Sequence, residues 1–388
     1  MLFMSKKKVL IFSTAYYPFV GGAEVAVREI CARIPDFEFV MITAKLDASL
    51  PAIERIGNIE VHRLGRGDCR DKYRLIASGA RYAGTLGKFD AVWSIMASYA
   101  GFAAVRYKKN NPKVPFLLTL QEGDSRFDIY KHVWWCWPYF KQIFKKADKI
   151  QTISNYLATW AKEVDASCPI EVIPNGVDLE KFRKAVIPAK AGIQKQVSDI
   201  KQSLGINDGS KIVVTVSRLV KKNGVEDLIR AMEFLRSDVH LLIAGDGILK
   251  KKLLGLVDRL KLSDRVHFLG EISHHDLPEY FFMSDVFCRP SKSEGLGNVF
   301  LEAMAAGVPI IGTKVGGIPD FLTDNQTGLF CSVRDPRDIS EKINRLMVDN
   351  SLRLRLAENG KKLTEAKFSW DLIAEKMKKI IGALYLSS

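Results

Sequence analysis

The chain has 388 residues, of which 47% are hydrophobic and 26% are charged; this excludes a disordered chain and leaves material for two buried cores. Its 58 Lys and Arg against 44 Asp and Glu give a formal net charge of +14. Such a charge favours an anionic partner, which would be nucleic acid, an anionic membrane surface or a phosphorylated small molecule.

The compartment is predicted from the cysteines and from the lack of long apolar stretches. The six cysteines form no CxxC pair and no zinc-like spacing with histidine, so we expect reduced thiols and no metal site. The basic start, Lys6 to Lys8, leads into a strand-like run without the apolar region of a signal peptide. No uncharged apolar stretch is long enough to span a bilayer. The sequence therefore predicts a cytoplasmic protein, possibly peripheral on the cytoplasmic face of the membrane.

In the first half of the chain, short apolar runs alternate with helical patterns. The runs read as strands at 9–12, 38–43, 59–63, 89–94, 116–120, 150–153 and 171–173, with helices at 23–34, 73–86, 98–109 and 156–164. This alternation predicts βαβ units and a parallel sheet.

The pattern lapses over 183–210, where Pro188 and Gly192 are expected to break a helix, so we interpret this stretch as a linker or inserted loop. The alternation then restarts at residue 211 and ends in helices from 336 onward. The predicted fold is α/β with two doubly wound domains, at 1–182 and 211–368. The last helix, about 369–388, is expected to pack back on the first domain.

The most informative stretch is 289–307, in which a Ser- and Gly-rich loop lies between a strand and a helix that begins near Gly297. The N–H groups and positive end of such a helix suit a diphosphate. Glu294 in the loop and Glu302 in the helix have seven residues between them and could accept hydrogen bonds from the hydroxyls of one ligand. The alternative is a loop–helix junction with two solvated glutamates.

In each domain, one further loop follows the first strand. In 216–224, Arg218 offers a rigid fork for phosphate oxygens and a neighbouring lysine adds a point charge, unless this is a solvated basic loop. Gly21 and Gly22 precede a helix and suit close approach to an anion, although a plain tight turn would look the same. No GxGxxG follows the first strand, and GxxxxGK[ST], GxSxG and HExxH do not occur.

Taken together, these motifs resemble the retaining glycosyltransferases of family 4, the group 1 type, which have the GT-B architecture of two Rossmann-like domains with an interdomain cleft. The resemblance also includes the run 172–178, the run 243–247 and the tail 302–310 of the glutamate motif. It covers nearly the whole chain. It implies a hexosyltransferase that moves a sugar from a nucleoside-diphosphate sugar, such as a UDP-sugar or GDP-mannose, to a glycan or glycolipid in polysaccharide or cell-envelope biosynthesis.

The resemblance implies that Arg218 and Lys222 neutralise the diphosphate, that Glu294 contacts the donor sugar and that Glu302 binds the ribose. Arg218, Lys222 and Glu294 would be the catalytic residues. The full set expected at the donor is Gly21, Gly22, Gln121, Arg218, Lys222, Asn223, Ile272, Glu294, Gly295, Leu296, Gly297, Asn298, Val299 and Glu302. No metal and no cofactor besides the co-substrate is implied, because the basic pair and the helix dipole take the place of a metal ion.

The chain departs from the family pattern at two positions. The family usually has Lys just before the glycine of the basic loop, where this chain has Asn223, so either Lys221 or Lys222 could reach the phosphate. The family also tends to have His where this chain has Gln121, which can hydrogen-bond a sugar hydroxyl but carries no charge. A nucleotide-sugar epimerase of the same architecture, or a catalytically weak membrane- or nucleic-acid-binding relative, remains an alternative.

The segment from Arg106 to Lys149 is basic and rich in aromatic residues, with Trp134, Trp135 and Trp137 close together. Tryptophan beside lysine is typical of an anionic membrane interface. The alternatives are a core helix with solvated lysines and, least favoured, a single-stranded nucleic-acid surface.

Overall fold

The computed structural model describes residues 6–184 and 190–386. Over these residues the strands are β1 (Lys7–Phe12), β2 (Phe37–Ala44), β3 (Ile53–Ile56), β4 (Ile59–Leu64), β5 (Ala91–Ile95), β6 (Phe116–Leu120), β7 (Lys149–Thr152), β8 (Ile170–Val172), β9 (Lys211–Val216), β10 (Val239–Ala244), β11 (Val266–Gly270), β12 (Val286–Arg289), β13 (Ile310–Thr313) and β14 (Leu329–Cys331).

The helices that connect these strands and close the chain are α1 (Gly22–Arg33), α2 (Asp71–Thr85), α3 (Tyr99–Asn110), α4 (Arg126–Val133), α5 (Trp137–Lys145), α6 (Asn155–Glu163), α7 (Leu179–Lys184), α8 (Lys190–Ser203), α9 (Val225–Ala231), α10 (Lys250–Arg259), α11 (Leu277–Phe282), α12 (Asn298–Ala305), α13 (Pro336–Val348), α14 (Asn350–Lys367) and α15 (Trp370–Leu386).

The chain divides into two compact units. The first contains the residues up to Asn175 and those from Trp370 onward, and the second runs from Gly176 to Ser369. The sequence prediction placed the end of the first domain at 182 and a linker over 183–210. The structure assigns α7 and α8 to that region, residues 185–189 lie outside the described residues, and Gly192 lies within α8.

The first unit is built on an eight-stranded sheet with the order β3-β4-β2-β1-β5-β6-β7-β8. All of its strand pairs are parallel except β3 with β4, which is antiparallel. Adjacent charged residues, Glu54 and Arg55, stand between the two isoleucines of β3 and leave no apolar run, so this edge strand was not predicted from the sequence. Helix α15 packs on α1 in this unit, where Arg33 Nε donates to Asp371 Oδ1 at 2.8 Å.

The second unit is built on a six-stranded parallel sheet with the order β11-β10-β9-β12-β13-β14. Its central strands are apolar runs buried on both faces, as expected for a parallel sheet covered by helices. In both sheets the strand order reverses beside the first strand, between β1 and β5 and between β9 and β12. Ligands of doubly wound domains bind at the carboxyl ends of strands at such a point.

Candidate functional site

Two loops meet at the point where the strand order of the second sheet reverses. Strands β9 and β12 are neighbours, with Val213 opposite Val286. The loop after β9 carries Arg218 and Lys222, and the loop after β12 carries Glu294. The backbone N–H of Lys292 donates to the carbonyl of Lys222 at 2.6 Å, which ties the two loops together.

A buried polar network lies beneath these loops. Arg289 Nη2, at the end of β12, donates to Glu294 Oε2 at 2.7 Å and to Asn223 Oδ1 at 2.9 Å. Asn223 Nδ2 donates in turn to the carbonyl oxygen of Arg218 at 2.7 Å. Because charge-assisted hydrogen bonds are strong and directional, this series of hydrogen bonds fixes the carboxylate of Glu294 and the backbone of Arg218 relative to each other.

The backbone of Glu294 is held by Gly316. This glycine has φ +55°, and a Cβ added to it would lie 1.7 Å from the carbonyl oxygen of Glu294. The next residue, Gly317, donates its N–H to the same carbonyl at 3.3 Å. Only glycine permits this approach, so the loop that carries Glu294 is pinned from both its side chain and its main chain.

Helix α12 begins immediately after this loop. Gly297, its N-cap, has φ +95°, and Gly295 and Leu296 before it are buried. Asn298 and Val299, the first helical residues, are half-buried. The first turn of α12 and the positive end of its dipole therefore follow the carboxyl end of β12, an arrangement that suits an anion.

Glu302 lies one turn further along α12 and its side chain is 19% exposed. Burial raises the pKa of Glu302 to about 7, against the opposing effect of the positive charge of Lys181. His274 Nδ1 lies 3.9 Å from Glu302 Oε1 and places the loop between β11 and α11 beside α12. Ile272 is half-buried in that same loop.

The basic residues of the first loop differ in exposure. Arg218 and Lys221 are exposed, Lys222 is half-buried, and Asn223 is only 2% exposed. Residues Lys221–Asn223 form a 3-10 turn. Asn223, which stands where the family pattern has lysine, is thus a buried link under the loop, with both ends of its amide bonded.

The predicted residues from Arg218 to Glu302 all lie in the second unit, whereas Gly21, Gly22 and Gln121 lie in the first. Gly21 and Gly22 are exposed at the start of α1, where the N–H of Gly21 donates to Glu24 Oε2 at 2.9 Å. Gln121 follows β6, and its Oε1 accepts from Asn175 Nδ2 at 3.0 Å.

Sequence reasoning missed several residues of the site. Arg289 stands in the stretch already singled out, but nothing local shows that it pairs with Glu294. Lys292 in the same loop pairs with Asp227 of α9, with Nζ 2.8 Å from Oδ2. Lys181 and His274 approach Glu302 from distant parts of the chain, so only the fold brings them together.

The basic aromatic segment divides between core and surface. Phe140 and Phe144 are fully buried, and Tyr130 and Trp137 are half-buried. Four other large side chains are exposed, and we call them the aromatic patch: Phe127 (76% exposed), Trp134 (75%), Trp135 (70%) and Tyr139 (72%). Within the described residues, no helix is long and apolar enough to cross a membrane.

Comparison with known proteins gives two matching family models. The model described as "Glycosyltransferase Family 4" matches residues 20–181, and the one described as "Glycosyl transferases group 1" matches residues 196–363. An uncharacterized glycosyltransferase of Methanocaldococcus jannaschii is 28% identical over 383 residues, which are 97% of this chain and 98% of that protein.

A second relative and a solved structure extend the comparison. The GDP-mannose-dependent monoacylated alpha-(1-6)-phosphatidylinositol monomannoside mannosyltransferase of Corynebacterium glutamicum is 32% identical over 252 residues, 62% of this chain and 64% of that protein. The sucrose-phosphate synthase structure from Thermosynechococcus elongatus has a TM-score of 0.85 at 23% identity, covering 98% of this chain and 100% of that one.

The two parallel-sheet units and the structural match define a GT-B fold and confirm the predicted fold class. With the motif loops of the second unit and the two family models, the chain belongs to the group 1, family 4 glycosyltransferases.

Proposed function

We propose that this chain is a retaining, metal-independent glycosyltransferase that moves a sugar from a nucleoside-diphosphate sugar to a glycan or glycolipid acceptor in polysaccharide or cell-envelope biosynthesis. The observation that carries the proposal is the tied pair of loops in the second unit. There the Arg218 loop, the Glu294 carboxylate and the start of α12 converge at the carboxyl end of β9 and β12.

In this proposal the donor diphosphate lies against the Arg218 loop and the N-terminus of α12. Negative charge grows on the diphosphate as the bond between the anomeric carbon and the phosphate oxygen breaks. Fixed positive groups that stabilise this charge more in the transition state than in the bound donor raise turnover. Arg218 and Lys222 supply the positive charges, and the helix dipole adds to them.

Retention follows if the acceptor attacks the same face from which the diphosphate leaves. The acceptor hydroxyl oxygen then bonds to the anomeric carbon, and its proton passes to an oxygen of the departing diphosphate. No side-chain nucleophile is needed. Glu294, held by Arg289, accepts hydrogen bonds from hydroxyls of the donor sugar, and Glu302 accepts those of the ribose. Asn223 lies beneath the Arg218 loop and positions it through hydrogen bonds to Arg289 and to the carbonyl of Arg218.

The relative named as GDP-mannose-dependent, which acts on a phosphatidylinositol mannoside, makes GDP-mannose one donor to test and a lipid-linked sugar one acceptor class. An acceptor of this kind would draw the protein to a membrane. The aromatic patch supports attachment to the anionic cytoplasmic face, because Lys131, Lys145 and Lys146 of the same segment are also exposed.

The first test is a thermal-shift screen of UDP-, GDP- and ADP-sugars, since a ligand that binds only the folded state raises the melting temperature. The donor found is then assayed for release of nucleoside diphosphate with and without sugar acceptors. Acceptor-dependent release with retained anomeric configuration supports the proposal. Interconversion of the donor without an acceptor would indicate an epimerase, and stabilisation by no nucleotide sugar would contradict the proposal.

Metal dependence is tested on the same reaction. We expect activity to persist in excess EDTA, because Arg218, Lys222 and the helix dipole carry out the charge neutralisation. Complete loss with EDTA, restored by Mg²⁺ or Mn²⁺, would contradict the metal-independent mechanism.

A further inference from the structure

A carboxyl group with one unused oxygen lies at the carboxyl edge of the first sheet. Glu122 is the second residue after β6, and its Oε1 accepts the N–H of Ala97 at 2.6 Å. Its other oxygen, Oε2, is buried and has no hydrogen-bond partner among the described residues. Buried polar atoms are normally paired, so an orphan oxygen at a ligand-binding edge indicates a partner that arrives with the ligand.

The loop that holds Glu122 has an unusual backbone. Met96, which precedes Ala97, has φ +67°, a left-handed conformation that few non-glycine residues adopt. This turn presents the N–H of Ala97 to Glu122 at the end of β5. Conformations of this kind persist where the surrounding structure fixes them, and they concentrate at binding sites.

Two hydroxyl groups belong to the loops that follow β1 and β5 at the same edge of this sheet. Ser98 is the N-cap of α3, but its side chain does not cap the helix and lies instead 3.0 Å from Thr14 Oγ1, oxygen to oxygen. Thr14 follows β1, so this pair bridges the two strands between which the order of the first sheet reverses. Gln121, bonded to Asn175 through its Oε1, lies next to Glu122 in the chain.

This set of groups matches a neutral polyol better than a phosphate. A carboxyl group repels an anion, whereas carboxyl, hydroxyl and amide groups together can accept from and donate to sugar hydroxyls. Burial raises the pKa of Glu122 to about 7 although three backbone N–H groups, led by that of Ala97, lower it; Asp124, in the same loop, raises it further. Such a group gains most from a hydroxyl partner that replaces the lost water.

We propose that Glu122 Oε2, together with the Thr14 and Ser98 hydroxyls, binds a hydroxyl group of the acceptor sugar. The assignment rests on the proposed transferase function, since it takes the second substrate of that reaction. It gives the first unit a defined acceptor contact, separate from the donor residues of the second unit.

The test measures donor and acceptor separately in full-length Glu122→Gln, which retains an oxygen for Ala97 and replaces Oε2 by a donor. Donor affinity is measured by titration with the nucleotide sugar found in the thermal-shift screen. Acceptor use is measured as the increase in nucleoside diphosphate release caused by millimolar octyl glycosides of mannose, glucose, galactose and N-acetylglucosamine. Glu38→Gln, the same substitution at an exposed carboxylate of β2, is the matched control.

We expect Glu122→Gln to bind the donor and release nucleoside diphosphate without acceptor as the wild type does, while kcat/KM for the active glycoside falls about tenfold, mostly through KM. Thr14→Val should show a smaller loss of the same kind, and Glu38→Gln none. Equal acceptor kinetics in Glu122→Gln and wild type would overturn the proposal, as would a wild type that no glycoside accelerates. If the wild type binds no nucleotide sugar, the result would instead contradict the proposed transferase function.

Discussion

The carboxyl edges of the two sheets are built differently. In the second unit the loops are tied by main-chain contacts: Gly316 lies against the carbonyl of Glu294, and a Cβ on Gly245 would lie 2.0 Å from the carbonyl of Ser217. An ionic network joins them from below. In the first unit the edge consists of hydroxyls, an amide and one half-buried carboxyl group.

The difference indicates two kinds of ligand. A diphosphate carries fixed charges at fixed spacing, so a rigid edge with positive groups and a helix N-terminus suits it. Sugar hydroxyls vary in position between substrates, and hydrogen-bonding groups that both donate and accept suit them. The predictions below test this division, from the largest expected effect to the smallest.

The largest effect is expected at Arg218. Arg218→Ala removes charge-assisted hydrogen bonds that strengthen as the diphosphate departs, so we expect turnover to fall about 10²–10³-fold with a smaller change in donor affinity. Steady-state kinetics at saturating donor measure this. Lys251→Ala, an exposed lysine on α10, is the control and should keep wild-type turnover. A folded Arg218→Ala with full turnover would refute the catalytic role.

The same assay decides between Lys221 and Lys222. Lys222 is half-buried and its carbonyl accepts the N–H of Lys292, whereas Lys221 is exposed, so we expect Lys222→Ala to lose more turnover. The reverse order would assign the phosphate contact to Lys221.

The rigidity of the second edge is tested at Gly316. Gly316→Ala should destabilise the protein by about 3 kcal/mol, because a positive φ and a clash with the carbonyl of Glu294 add together. Gly307 also has a positive φ, +76°, but a Cβ there would meet nothing within 4 Å. Gly307→Ala should therefore cost only about 1 kcal/mol. Urea unfolding measures the free energy of unfolding of both variants. Equal losses of stability would show that the clash with the carbonyl of Glu294 does not destabilise Gly316→Ala.

A pH effect is expected at Glu302. Burial raises its pKa to about 7, and ribose hydroxyls donate to the charged carboxylate, so donor affinity should fall as protonation replaces that form. From about pH 8 to about pH 6 the dissociation constant of the nucleotide sugar should rise about tenfold. The diphosphate of a nucleotide sugar has no proton to exchange in this range.

Glu302→Gln should bind the donor more weakly and without this pH dependence. His274 and Lys181 face Glu302, and a protonated His274 would oppose the effect by favouring the carboxylate. His274→Asn should therefore keep or steepen the pH dependence in isothermal titrations. A wild type whose donor affinity is constant over this range would contradict the role of Glu302.

What could be predicted from the sequence depended on how local the signal was. The strand–loop–helix pattern around Glu294 and Glu302 lies within a few residues, and the structure has β12, a loop and α12 there. The pairing of Arg289 with Asn223, 66 positions apart, and the approach of Ala97 to Glu122 depend on strand order. No local pattern encodes strand order, so these contacts could not be predicted.

The aromatic segment shows a second reason why part of the structure could not be predicted from the sequence. Helical periodicity could not separate buried from exposed aromatic residues, because a 3-10 turn at Trp134–Cys136 interrupts the helix between α4 and α5 and changes the direction of the side chains. Helix α4 has no buried residue at all. The core interpretation therefore holds for Phe140 and Phe144, while Trp134 and Trp135 are available to a partner.

The smallest effect is expected for membrane attachment through the aromatic patch. Each lysine near an anionic surface contributes about 1 kcal/mol, and this attraction is screened over about 10 Å at 0.1 M salt. Insertion of exposed indoles adds a part that salt does not screen. Co-sedimentation with phosphatidylglycerol vesicles should therefore weaken at high salt without disappearing, and Trp134→Ser with Trp135→Ser should remove what remains.

The matched control replaces two apolar residues of the second unit, Val348 (78% exposed) and Leu354 (59% exposed), by serine. This variant should bind vesicles as the wild type does at every salt concentration, since its changes lie in the other unit and leave the basic segment unaltered. If the wild type ignores anionic vesicles even at low salt, the attachment proposal fails and a soluble acceptor is indicated. If the tryptophan variant binds as the wild type does at every salt concentration, the two tryptophans contribute nothing to attachment and the patch has another role.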